Sequence, residues 1–198
     1  MWWTLQRLAA ARPAALRCEE IIIAARREEW AQVENAIPEE LRAQVRLIEG
    51  GANRQQSVFN LARAACGEWI LVHDAARPLV SPELIERVCA AALETGAALA
   101  ATRVCDTVKR AQGGQNVVSE TLKREDIWLA QTPQVFRREL FLKALQQAED
   151  DGFIGTDCAS LVERLGIASV ALVEGEAENI KVTFAQDLRR AEELLKDS

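Results

Sequence analysis

Short apolar runs alternate with helical segments along this chain, and this alternation limits the possible folds more than any other feature. Apolar or β-branched runs typical of strands occur at 20–24, 45–48, 69–72, 97–104 and 169–173. Segments with helical spacing lie near 3–9, 26–35, 57–66, 82–94, 137–149, 157–165 and 184–196. Such alternation is typical of a parallel sheet with helices on both faces, joined by right-handed crossovers. We therefore predict an α/β, doubly wound, Rossmann-like fold with a mostly parallel sheet.

Size and charge narrow the class of protein. The 198 residues suffice for one domain with its own hydrophobic core, so 1–198 is treated as a single domain. The sequence has no apolar run of about 18 residues and no signal-peptide pattern, so we expect a cytoplasmic protein without membrane association. The net charge of -6 argues against a nucleic-acid partner, and an anionic substrate would need a local basic pocket. The five scattered cysteines are expected to be buried free thiols.

The segment 105–131 interrupts the alternation. Gly113 and Gly114 lie in a polar turn between two stretches that can pair as a hairpin. We predict a β-arm over 105–131 that projects from the domain. Thr132-Pro133-Gln134 is interpreted as the turn where the arm rejoins the body.

A candidate site follows the apolar run at 69–72, in His73-Asp74-Ala75-Ala76-Arg77-Pro78. Ligands of open α/β sheets bind at the carboxyl ends of strands. A carboxylate there suits a hydrated magnesium ion on a triphosphate, and an arginine suits a phosphate. The alternative is that Asp74 and Arg77 pair with each other and shape a turn. His73, the single histidine, is interpreted as a hydrogen-bonded packing residue rather than a catalytic one.

Other segments are weaker candidates for ligand contacts. Residues 50–57 (GGANRQQS) lead from a strand into a helix, where backbone N–H groups can meet a base or a phosphate, although such turns often contain glycine. Lys181 follows the last strand and can reach the same edge as Asp74, or it can simply be solvated. The charges at 106–110 and at Arg124 are either site residues or the polar face of the hairpin.

Six sequence motifs, in this order and with compatible spacing, resemble those of the 2-C-methyl-D-erythritol 4-phosphate cytidylyltransferases. The resemblance extends from about residue 1 to the C-terminus. The motifs are GGxxRxxSV (50–58), VHDAARP (72–78), DTVKR (106–110), WxxQTPQxF (128–136), TDxxS (156–160) and EGxxxNIKVT (174–183).

The resemblance implies a reaction and a set of roles. Methylerythritol phosphate would attack the α-phosphorus of CTP in a magnesium-dependent step that releases pyrophosphate, without a covalent enzyme intermediate. Asp74 and Lys181 would be the catalytic residues, and Asp74 would meet the metal through water or the CTP phosphates. The nucleotide would be bound by Gly51, Ala52, Ser57, Asp74 and Ala75. Methylerythritol phosphate would be bound by Arg77, Thr107, Arg124, Thr156 and Lys181.

The resemblance also implies a homodimer and an additional N-terminal segment. Thr107 and Arg124 lie on the arm, which would cross to the partner subunit. The family opens with a strand and a glycine-rich loop, Ala-Ala-Gly-x-Gly-x-Arg followed by Pro-Lys, which the printed sequence lacks. We therefore expect an N-terminally incomplete domain with weak or absent CTP turnover. Two alternatives stay open: a ribitol 5-phosphate cytidylyltransferase, and a non-catalytic relative that has lost the nucleotide loop.

Overall fold

The computed structural model describes residues 1–11, 13, 16–113 and 116–196. Strands alternate with helices over most of this length, as the sequence predicts. The strands are β1 (Ile21–Ala25), β2 (Val45–Glu49), β3 (Trp69–Val72), β4 (Ala97–Arg103), β5 (Lys109–Ala111), β6 (Val118–Thr121), β7 (Trp128–Arg137) and β8 (Ala171–Glu174). The helices are α1 (Trp2–Ala10), α2 (Trp30–Asn35), α3 (Arg54–Ala64), α4 (Pro82–Thr95), α5 (Arg138–Asp150), α6 (Cys158–Leu165) and α7 (Ala185–Lys196).

The strand β4 shows why the domain has two helical layers. Its side chains alternate between two apolar clusters: Ala97, Leu99 and Ala101 face one, and Ala98 and Ala100 face the other. Helices α3, α5 and α6 supply the first cluster, and α4 supplies the second. A strand that is buried on both faces needs a continuous apolar run rather than an alternating one. The predicted α/β arrangement with helices on both faces is confirmed.

The central sheet has the order β3-β7-β4-β8. Strand β7 pairs antiparallel with both β3 and β4, whereas β4 and β8 are parallel, so three of the four strands run in one direction. Strands β1 and β2 form a separate parallel pair. They enclose a third apolar cluster with α1, in which Leu5 packs near Ile21. The carboxyl ends of β3 and β8 therefore lie at the same edge of the central sheet.

The interpretation of Thr132-Pro133-Gln134 as a turn is wrong, because all three residues lie within β7. Gln134 pairs with Leu99, but the next pair in the ladder is Ala130 with Ala101, so the register is irregular between them. Proline cannot donate a hydrogen bond to a ladder and is tolerated where a bulge interrupts it. The chain thus continues through Pro133 as a strand.

The predicted arm is present as an antiparallel hairpin of β5 and β6, in which Lys109 pairs with Thr121. Every residue of these two strands is exposed. Gly113 lies in a turn of the hairpin, whereas Gly114 lies outside the described residues. The strand β7 begins at Trp128, within the segment predicted as the arm.

The cysteines differ from expectation in their exposure. All five thiols are free, but only Cys89 and Cys158 are buried, while Cys18, Cys66 and Cys105 are exposed. The two buried thiols lie on helices α4 and α6, whereas the three exposed ones lie outside the helices and strands. Among the described residues, no helix is both long enough and apolar enough to cross a membrane.

Candidate active site at the ends of β3 and β8

The carboxylate of Asp74 lies between two cations at the carboxyl end of β3. Its Oδ1 is 3.0 Å from Nη2 of Arg54, and its Oδ2 is 2.9 Å from Nζ of Lys181. The Asp74 side chain is 16% exposed, whereas those of Arg54 and Lys181 are 41% and 47% exposed. Burial by itself raises the pKa of Asp74, but the hydrogen bonds from Lys181 and Arg54 outweigh it and hold the pKa below 3.8. The carboxylate is therefore ionised at neutral pH.

Arg77 joins the loop after β3 to the loop that carries Lys181. Its Nη1 donates to the backbone oxygen of Asn179 at 2.6 Å, and the N–H of Val182 donates to the oxygen of Ala76 at 2.8 Å. Among the described contacts, the side chains of Asp74 and Arg77 do not form the pair named above as the alternative, although the N–H of Arg77 donates to the backbone oxygen of Asp74 at 2.9 Å in a turn. Burial lowers the pKa of Arg77, and the charge of Asp74 partly opposes this lowering. Of the two possibilities left open for Lys181, the structure has the one in which it reaches the same edge as Asp74.

Three cations lie around the carboxylate of Asp74. Arg54 and Lys181 contact it, and Arg77 lies near enough for the charge of Asp74 to affect its pKa. The chain as a whole carries a net charge of -6. The immediate surroundings of Asp74 therefore supply the local positive charge that an anionic substrate needs.

His73 is held as a neutral ring behind Asp74. The hydroxyl of Thr132 accepts from the N–H of Asp74 at 3.1 Å, so its own proton is available to Nδ1 of His73 at 3.0 Å. Nε2 then carries the ring proton and donates to the oxygen of Arg77 at 3.0 Å. Burial lowers the pKa of His73 to about 4. These contacts agree with its interpretation as a packing residue.

The predicted nucleotide loop precedes α3. Ser57 Oγ accepts from the N–H of Gly51 at 3.0 Å and donates to the oxygen of Asn53 at 2.9 Å, so the turn is tied to the first turn of the helix. A Cβ on Gly51 would lie 2.3 Å from Cγ of Gln56, so no larger residue fits there without movement. Ala52 is exposed beside this turn, and exposed Ala75 lies beside Asp74.

Thr156 shares a cavity with Arg54. The segment 154–158 and the start of α3 enclose a cavity of about 200 Å³ that is lined by Arg54 and Thr156, among other residues. Arg54 extends Nη1 to within 3.6 Å of Sγ of Cys158. The fold thus places Thr156 beside the residue that pairs with Asp74.

The arm residues lie elsewhere in the single chain. Arg124 donates from Nη1 to the oxygen of Cys105 at 2.7 Å and lies 3.9 Å from Glu125, so its contacts are within the arm. Thr107 is exposed. Among the described contacts, neither residue reaches Asp74.

Two groups of site residues were missed from the sequence. Arg54 is a fixed position of the motif GGxxRxxSV at 50–58, and this position could have indicated a functional role for it. The second group is a buried amide network in which Gln131 Nε2 donates to the oxygen of Glu176 at 2.9 Å, and Asn179 Nδ2 donates to the oxygen of Thr132 at 2.8 Å. The network holds the loop before Lys181 against β7.

The side chains around Asp74 suit a metal ion only if a substrate phosphate supplies further ligands to that ion. Among the described residues, no group of three or more His, Cys, Asp or Glu side chains is placed to hold a metal ion. Mg²⁺ retains waters and is commonly bound by one or two carboxylates together with substrate phosphates. The single carboxylate of Asp74, beside cations that suit phosphates, fits this pattern.

Comparison with known proteins identifies the family. The family model for 2-C-methyl-D-erythritol 4-phosphate cytidylyltransferase matches residues 2–197. The chain belongs to this family. It is therefore similar throughout its length to a family of enzymes that transfer nucleotides, as the six motifs predict.

Relatives and solved structures of the family agree in sequence and in fold. The 2-C-methyl-D-erythritol 4-phosphate cytidylyltransferase of Bacillus licheniformis is 41% identical over 180 residues, which are 90% of this chain and 77% of that protein. The crystal structure of the Thermus thermophilus enzyme of the same name is 38% identical, with a TM-score of 0.80 over 98% of this chain and 87% of that chain. The Anaerococcus prevotii 4-diphosphocytidyl-2C-methyl-D-erythritol synthase is 28% identical, with a TM-score of 0.86 over 98% and 85%.

Proposed function

We propose that this chain transfers CMP from CTP to 2-C-methyl-D-erythritol 4-phosphate and releases pyrophosphate. A phosphate oxygen of the acceptor forms a bond to the α-phosphorus of CTP, and the bond from that phosphorus to the β-phosphate oxygen breaks. The observation that carries the proposal is the carboxylate of Asp74 between Arg54 and Lys181, at 3.0 and 2.9 Å, in a chain of this family.

Positioning and charge supply most of the rate in such a reaction. Two anions must approach each other in line, and negative charge develops on the transferred and leaving groups. Fixed cations in a site that is already arranged stabilise that charge without reorganisation. We assign this role to Lys181 at the α-phosphate, with Asp74 directing it. A strong general base is not required, which agrees with the neutral, fully bonded His73.

The nucleotide residues are assigned by their place at the start of α3. Gly51, Ala52 and Ser57 would lie against the cytosine, and Asp74 and Ala75 against the ribose and triphosphate. The absence of a side chain at Gly51 lets this turn pack directly on α3, because a Cβ there would conflict with Gln56, and it thereby fixes the backbone of the loop. The carboxylate of Asp74 would hold Mg²⁺ jointly with the triphosphate, and this ion supplies charge neutralisation when it is bound.

The residues that would bind methylerythritol phosphate are assigned to two protomers of a homodimer. Arg77, Thr156 and Lys181 come from one protomer, and Thr107 and Arg124 come from the arm. The arm is exposed, and Val117 and Val118 on it are 54% and 59% exposed. These two exposed valines on an otherwise polar hairpin support dimerisation through residues 105–131, so that Thr107 and Arg124 of one protomer complete the site of its partner.

The acceptor distinguishes this function from its rival. Relatives named for 2-C-methyl-D-erythritol 4-phosphate cover 90% of this chain, which disfavours ribitol 5-phosphate as the acceptor. Pyrophosphate release should be measured with CTP, Mg²⁺ and each acceptor in turn. We expect weak but measurable turnover with methylerythritol phosphate, and a chelator should abolish it. An equal or higher kcat/KM with ribitol 5-phosphate would contradict the proposal.

A further inference from the structure

The side chain of Gln55 holds the backbone that leads to Thr156. Its Nε2 donates to the oxygen of Phe153 at 2.9 Å, and its Oε1 accepts from the N–H of Gly155 at 2.9 Å. One amide thus satisfies a carbonyl and an N–H on the two sides of Ile154, as a neighbouring strand would. Residues 153–155 are therefore held by a side chain from the first turn of α3.

The other side of this segment is fixed by α6. A Cβ on Gly155 would lie 2.6 Å from Oγ of Ser160 and 2.7 Å from Cδ2 of Leu161, so the backbone packs directly on the helix. Asp157 forms a capping box with Ser160 at the start of α6. Thr156 thus lies between two anchored neighbours. Among the described residues, its own hydroxyl has no hydrogen-bond partner.

The neighbouring residue on α3 makes the complementary connection. Arg54 contacts Asp74 through Nη2 at 3.0 Å and the thiol of Cys158 through Nη1 at 3.6 Å. Arg54, Gln55 and Thr156 line the same cavity of about 200 Å³. The first turn of α3 therefore connects the centre at Asp74 to the segment that carries Thr156.

We propose that Gln55 is a positioning residue for the acceptor, which acts by holding the Thr156 hydroxyl at a fixed place relative to Asp74. This inference rests on the proposed function. It goes further because it makes acceptor binding depend on two hydrogen bonds from a residue that does not itself contact the acceptor. The competing explanation is that Gln55 only stabilises the fold, in which case its loss would not discriminate between the two substrates.

The test is Gln55→Met, which keeps the length of the side chain and removes both hydrogen bonds. We expect the KM for methylerythritol phosphate to rise about tenfold, the size that two neutral hydrogen bonds allow. The KM for CTP should stay within about twofold, because the loop 50–53 keeps its own contacts through Ser57. Gln55→Glu can still accept from Gly155 but cannot donate to Phe153, so it should impair acceptor binding as well.

Gln146→Met is the matched control. Its amide is exposed on α5, and its Nε2 donates to Oδ1 of Asp150 at 2.9 Å within the same helix. Both KM values should be unchanged in this variant. Hydrogen exchange of a peptide spanning 152–158 gives a second measurement: the acceptor should slow exchange in the unaltered protein and much less in Gln55→Met.

The outcomes separate this inference from the function on which it rests. Equal rises in both KM values, or a lower unfolding temperature with both KM values unchanged, would overturn the positioning role and leave the proposed function intact. An unaltered protein that releases no pyrophosphate with methylerythritol phosphate would overturn the proposed function, and the positioning role with it.

Discussion

Replacement of Lys181 by methionine separates catalysis from stability more clearly than any other change in this site. Methionine keeps an unbranched side chain but removes the ammonium that lies 2.9 Å from Oδ2 of Asp74. Arg54 remains on Oδ1 at 3.0 Å, so the carboxylate keeps one cation. The Lys181 side chain is 47% exposed, and exposed ion pairs contribute about 0–1 kcal/mol. We therefore expect the free energy of unfolding to change by less than about 1 kcal/mol.

The expected effect on turnover is much larger. Loss of one fixed donor to a developing oxyanion lowers kcat by about 100- to 1,000-fold, which is about 3–4 kcal/mol of transition-state stabilisation. Lys181→Arg restores the charge but not the compact ammonium, so it should recover only part of the rate. The assay is pyrophosphate release at saturating substrates, with thermal unfolding measured on the same samples.

The control is Lys143→Met, which removes an exposed ammonium from α5 and should change neither quantity. A Lys181→Met protein with kcat within threefold of the unaltered protein would refute the role of Lys181 at the α-phosphate. A loss of more than about 2 kcal/mol in unfolding free energy would show instead that the ion pair is structural.

Three further changes test the surroundings of the site. Gly51→Ala should raise the KM for CTP and destabilise by about 1–3 kcal/mol, because its Cβ would lie 2.3 Å from Cγ of Gln56; equal KM values would contradict the tight turn. Burial lowers the pKa of His73 from 6.5 to about 4, so on acidification the unfolded chain takes up this proton at a higher pH than the folded chain does. The contribution of His73 to the free energy of unfolding is therefore fully present above about pH 6.5 and is lost as the pH falls to about 4. His73→Gln should remove this pH dependence from an unfolding curve. Asp157→Ala removes the α6 cap and a hydrogen bond from Gln134 at 2.8 Å, so chemical denaturation should show a loss of about 1–3 kcal/mol.

Local sequence patterns predicted those helices and strands that depend on residues close together in the sequence. The apolar run at 97–104 predicted a strand, and β4 spans Ala97–Arg103. Ser81 followed by Pro82 is a typical start of a helix, with serine as the cap and proline in the first turn, and the Ser81 side chain accepts from the N–H of Leu84 at the start of α4. Helix α3 was expected to begin at Ser57, but it begins at Arg54 with Asn53 as its cap.

The tertiary structure corrected the sequence where distant segments meet. Thr132-Pro133-Gln134 has the composition of a turn, yet it lies in β7 because strands on both sides enclose it and a bulge accommodates the proline. Gln131 and Asn179 are buried polar residues that bind each other across 48 positions of sequence. Polar residues of this kind look like surface residues in the sequence, because the neighbouring residues do not reveal the distant side chain that will hydrogen-bond to them.

Sequence patterns were sufficient to predict the alternating α/β architecture and the exposed hairpin, and they placed Asp74 directly after a strand and Lys181 in the loop after the last strand. These features follow from hydrophobic periodicity and from the rule that parallel strands end at one edge. Only the tertiary structure decided that Arg54 pairs with Asp74, 20 positions away, and that Gln55 holds Gly155, 100 positions away. The physical reason is that a hydrogen bond or ion pair between side chains depends on a separation of about 3 Å, which the packing of helices on the sheet sets and local sequence does not.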